Sequence, residues 1–98
     1  MLTFFTIIQS LAPTLTPEVI RENVLSTVLT LVNDPIPNIR FNVAKSLEVL
    51  AISLSASAEG KELARTRIVP AVQVLQGDTD PDVRYFAGKA FEKTNQVL

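Results

Sequence analysis

Shifted by 44 residues, the chain matches itself: Val24 to Glu48 falls on Ile68 to Glu92. Val28, Leu31, Asp34, Pro37, Arg40, Lys45 and Glu48 meet identical residues at Val72, Leu75, Asp78, Pro81, Arg84, Lys89 and Glu92. Composition alone supplies about one or two identities over such a stretch. Like-for-like pairs such as Ile39/Val83, Phe41/Tyr85 and Leu47/Phe91 extend the match. A duplicated unit of this length buries its apolar surface by stacking on its own copy.

Each copy reads as two helices, A then B. In the first copy Thr16 is a candidate N-cap, Pro17 the first helical residue and Glu18 an acid in the first turn. Val19, Ile20, Val24, Leu25, Val28, Leu29, Leu31 and Val32 then nearly circle helix A, which must be covered on several sides. Asn33-Asp34-Pro35-Ile36-Pro37 breaks the run, because proline donates no backbone hydrogen bond and restricts its predecessor. Helix B starts near Pro37 and buries Ile39, Val43, Ala44, Leu47, Leu50, Ala51 and Leu54. After a linker from Ser55 to Gly60 the second helix A runs from about Lys61 to Gln76, bent at Pro70. Gly77 suits its end, Asp80 and Pro81 start the second helix B, and that helix reaches about Gln96.

Leu2 to Leu11 reads as one more helix B, which divides the chain into residues 1–15, 16–56 and 57–98. The architecture is all-α, an α-solenoid of antiparallel hairpins of the HEAT or armadillo type. A compact bundle of four or five helices has the same periodicities, but bundles do not repeat their sequence. With no helix A before Leu2, Phe4, Phe5, Ile7 and Ile8 are expected to be partly uncovered, and the isolated chain to be marginal or self-associating.

Composition removes most chemistry. The chain has no Cys and no His, so thiolate or imidazole metal ligands, Cys nucleophiles and a His general base are absent. A net charge of −1 without a basic cluster argues against nucleic acid. The uncharged N-terminal stretch has no basic start, contains Pro13 and Pro17 and ends at Glu18, so it fits neither a signal peptide nor a membrane span. A cytoplasmic, or also nuclear, location is expected. Asp78-x-Asp80-x-Asp82 has the first three spacings of a calcium loop, but Val83 stands where glycine is needed and Lys89 where the bidentate glutamate is needed. Neither a metal site, a cofactor nor a catalytic residue is expected; the chain reads as a binding protein.

The binding candidates are repeat-related. Asp34 and Asp78 in the turns, with Arg40 and Arg84 one turn into the B helices, predict a ladder in which each Arg bridges to the next repeat's Asp. If Ile39, Val43, Ala44 and Leu47 face inward, helix geometry turns Phe41, Asn42, Lys45 and Glu48 outward, and likewise Tyr85, Phe86, Lys89 and Glu92. An aromatic flanked by Lys suits a protein-binding ridge, with packing on the neighbouring repeat as the alternative. The turns, with Asn33, Pro35, Ile36 and Asn38 in the first and Thr79, Asp80 and Asp82 in the second, project along one edge of the stack.

The strings from Asp34 to Leu47 and from Asp78 to Phe91 resemble the last two HEAT repeats of the scaffolding (A) subunits of protein phosphatase 2A, most specifically through Arg40-Phe41-Asn42-Val43-Ala44-Lys45-Ser46-Leu47. That resemblance implies a non-catalytic horseshoe of HEAT hairpins. Its C-terminal repeats would hold the phosphatase catalytic subunit through their intra-repeat turns, and its N-terminal repeats a regulatory B-type subunit. This chain would belong to the catalytic-subunit end. The alternative is a HEAT-repeat adaptor of another family, a transport or regulatory solenoid.

Overall fold

The computed structural model describes residues 2–98; Met1 lies outside the described residues, as do the side chains of residues 2–4 and of Pro13, and with them the exposure expected of Phe4. Every regular element among the described residues is helical. Helix α1, Leu2–Leu11, ends in a 3-10 turn, Ala12–Thr14. The first A helix comprises α2, Pro17–Val19, a π turn, Ile20–Val24, and α3, Leu25–Thr30. Helix α4, Pro37–Leu54, is the second B helix, after α1. The second A helix comprises α5, Ala58–Leu63, a π turn, Ala64–Ile68, and α6, Val69–Gln76, and α7, Pro81–Val97, is its B partner.

Local chemistry sets the starts of these helices. Thr16 is extended and accepts a hydrogen bond from the Val19 N–H, ahead of Pro17 and Glu18. Asp80 accepts from the N–H groups of Asp82 and Val83, at 2.9 and 3.1 Å, ahead of Pro81. The start expected near Lys61 is displaced: Ser57 accepts from the Gly60 N–H at 3.0 Å, and the helix begins at Ala58. Repeat register put the start opposite Pro17, but a better cap lies upstream and lengthens the second A helix by nearly one turn.

Beside Pro70, where a bend is expected, the second A helix carries a π turn. Both A helices contain a π turn, and the two sit at equivalent places in the repeat, with the Leu25 N–H bonded to the Ile20 carbonyl and the Val69 N–H to the Ala64 carbonyl. In the first copy the position of Pro70 is held by Ser26. Proline therefore does not create the wide turn; it is accommodated beside one.

The B helices form a row in which α4 packs between α1 and α7, while α3 pairs with α4 and α6 with α7. The chain is 34 × 26 × 18 Å along its principal axes. Phe5 and Ile8 of α1, Leu47, Leu50 and Leu54 of α4, Ile20, Leu25 and Val28 of the first A helix and Ile68, Val72 and Leu75 of the second are all buried. Each large aliphatic removed from water contributes about 1.5–3 kcal/mol. Phe5 and Ile8 thus depart from the exposure expected of them; the exposed large apolar residues of α1 among the described ones are Ile7 and Leu11, 49% and 48% exposed. Ile7 and Leu11, four apart, line up with each other along the helix in a strip beside the one that Phe5 and Ile8 bury.

Polar links join successive units. Ser53 Oγ donates to the Ala12 carbonyl at 2.7 Å, capping the end of the first B helix from the second. In the A layer an exposed ion pair, Arg21 to Glu59 at 3.7 Å, spans the two repeats. None of the described helices is long and apolar enough to cross a membrane.

Candidate protein-binding ridge

The two turns fold alike because each begins with an aspartate that organises its own backbone. Asp34 Oδ1 accepts the Ile36 N–H and Asp78 Oδ1 the Asp80 N–H, both at 2.9 Å. Arg40 then links the repeats. Its Nε and Nη2 donate to Asp78 Oδ2 and Oδ1 at 2.6 and 3.0 Å, and its Nη1 donates to the Asp34 carbonyl at 2.7 Å. One guanidinium thereby binds the turn of its own repeat and the carboxylate of the next, the bidentate geometry for which arginine is suited.

The Arg40 and Asp78 side chains are only 14% and 10% exposed. The hydrogen bonds from Arg40 hold the Asp78 carboxyl below its ordinary value, against the opposing effect of burial and helped by the Asp80 N–H. The same pairing raises Arg40. Asp78 is committed to Arg40 and Asp80 caps α7, so these carboxylates are already engaged, and among the described residues no cluster suited to a metal ion occurs.

The outward set divides. Asn42 is buried, with Nδ2 donating to the Asn38 carbonyl at 2.8 Å, and this corrects its outward assignment. A single-stripe reading of α4 fails because two neighbouring B helices and its own A helix cover it. Phe41 is half-buried and meets the edge of Phe86 at 4.5 Å between ring centroids; Phe86 in turn meets Tyr85 at 5.1 Å. Phe41 thus packs on the neighbouring repeat, while Tyr85 remains 61% exposed. The Lys45 ammonium lies 5.2 Å from the Phe41 ring centroid and 5.7 Å from that of Phe86, and the Lys89 ammonium lies 5.7 Å from both Tyr85 and Phe86. Cations over these ring faces are electrostatically favoured.

An open groove of about 320 Å³ runs between the turns, lined by Pro37, Asn38, Phe41, Asp80 and Asp82. It brings four of the sequence candidates, Asn38, Phe41, Asp80 and Asp82, to one place. Asn33, Pro35 and Thr79 are exposed in the turns outside that lining, and Ile36, 53% exposed, is the large apolar residue of the first turn. Sequence reasoning missed Pro37 as part of the groove, and missed that Phe86 is the ring on which both other aromatics rest. Phe86 stands at the repeat position of the buried Asn42, and no sequence signal set either apart from the outward residues.

Hairpins stacked through a row of B helices and bolted by an Arg–Asp bridge define a HEAT-type α-solenoid, and residues 24–54 match the HEAT repeat family. The resemblance to phosphatase scaffolds holds in direct comparison. The chain is 35% identical over 97 residues, 98% of its length, to the protein phosphatase PP2A regulatory A-subunit of Saccharomyces cerevisiae. It is 54% identical over 59 residues, 60% of its length, to the protein of the same name in Schizosaccharomyces pombe. It is 40% identical over 57 residues, 58% of its length, to the serine/threonine-protein phosphatase PP2A 65 kDa regulatory subunit of Drosophila melanogaster. The chain spans 15%, 10% and 9% of the length of these relatives. No solved structure matches it significantly.

Proposed function

We propose that the chain is a non-catalytic scaffold segment that holds the catalytic subunit of protein phosphatase 2A along its turn edge and B-helix ridge, and through longer relatives' repeats serves a regulatory B-type subunit indirectly. The observation that carries this reading is the groove between the turns, together with two exposed apolar residues of the same repeats, Ile36, which precedes the lining residue Pro37, and Tyr85, which packs on Phe86. Exposed large apolar side chains beside a concave surface are what protein partners use as anchors. The names of the relatives, regulatory subunits of that phosphatase, support the same partner.

The test is binding of purified catalytic subunit to the Ile36→Asp and Tyr85→Ala variants. Each should lose about 1–3 kcal/mol of affinity. Ile36→Asp is a discriminating choice, because Ile36 is an N-cap residue without a side-chain bond, at the position where the second repeat has the capping Asp80. An aspartate there should leave stability unchanged or raise it by about 0.5–1 kcal/mol. Affinity falling while the melting temperature holds or rises supports a contact residue; unchanged affinity in both variants removes the ridge as the binding surface.

A further inference from the structure

Arg84 holds in α7 the place that Arg40 holds in α4, and both guanidinium groups are tethered alike. Arg84 Nη1 donates to the carbonyls of Asp78 and Thr79, at 2.9 and 3.0 Å, as Arg40 Nη1 donates to that of Asp34 at 2.7 Å. From its tether Arg40 reaches both oxygens of a carboxylate. Arg84 is exposed, and among the described residues it makes no ion pair and its Nε and Nη2 make no hydrogen bond. The next residue along α7, Tyr85, has a ring 61% exposed, with the Lys89 ammonium 5.7 Å from its centroid.

We propose that Arg84 is a carboxylate-docking site that takes an aspartate or glutamate side chain of the phosphatase catalytic subunit in the geometry Arg40 gives to Asp78; this rests on the function proposed above. The chemistry is on display one repeat earlier in the same chain. A guanidinium already fixed at Nη1 loses little freedom when its remaining fork is filled, and the fork matches a carboxylate and not a lone carbonyl. Lys89 adds positive charge, and Tyr85 supplies an anchor next to the ion pair.

Calorimetric titration of the full chain with purified catalytic subunit, at low and near-physiological ionic strength, tests this. Arg84→Gln should weaken binding about tenfold or more and flatten its salt dependence, with Arg84→Lys, a charge without the fork, falling between. Because Arg84 and its two bonds to the turn are exposed, either variant should lower the melting temperature only slightly, far less than a loss of fold would. Wild-type binding with undiminished affinity in Arg84→Gln overturns this inference alone. Absence of binding by the wild type overturns both it and the proposed function. If Arg84→Gln alters only the sedimentation of the chain by itself, the occupant is a second copy and the inference likewise fails.

Discussion

Arg40 joins two turns with one side chain, so its loss and that of its partner should have a pH signature. The folded Asp78 carboxyl lies below its unfolded value because Arg40 hydrogen-bonds its charged form. The stabilisation is therefore complete above the ordinary carboxylate value of about 3.9 and is lost as pH falls through the lower folded value. Asp78→Asn should cost about 2–3 kcal/mol at neutral pH, since it leaves a largely buried guanidinium without its counter-charge. In urea titrations the gap between wild type and variant should close at acid pH; a gap of constant size would assign the loss to packing of the Arg40 stem. The residues of this bridge were legible in sequence because an acid and a base recurred together at one spacing. The fate of Asn42 was not, since burial from three sides leaves no trace in a single helical stripe.

The helices carry their own tests. Gly60 is buried where α5 crosses the end of α4, and a Cβ there would overlap the Leu54 carbonyl oxygen. Gly60→Ala should destabilise by about 2–3 kcal/mol through overpacking. Gly88 lies within α7, and a methyl group added to it would meet nothing within 4 Å, so Gly88→Ala should stabilise by about 0.5–1 kcal/mol through helix propensity. Thermal melts should move in opposite directions for the two, by about 4–8 °C per kcal/mol in a chain of this size. Caps at Thr16 and Asp80 were legible because proline follows each, and the Ser57 cap was not, because its helix begins ahead of the repeat register. The π turns are invisible to a search for 3.6-residue periodicity, which treats Ile20 to Val24 as ordinary helix.

For the molecule as a whole, the stacking direction was readable from the duplication, and the exposed side of α1 was only half so. Ile7 and Leu11 form an apolar strip beside a buried one. We expect the isolated chain to self-associate with rising concentration, and Ile7→Lys with Leu11→Glu to return it to a monomer in sedimentation equilibrium. A wild-type chain that stays monomeric throughout would show that the strip is tolerated by water. The paired π turns carry a consequence for longer arrays. A distortion recurring at one position per repeat acts like the taper of each stone in an arch. Any angle it gives the A helix would accumulate with the number of units, so a few backbone bonds per repeat, apart from the side chains that hold a partner, would contribute to the curvature of a long solenoid.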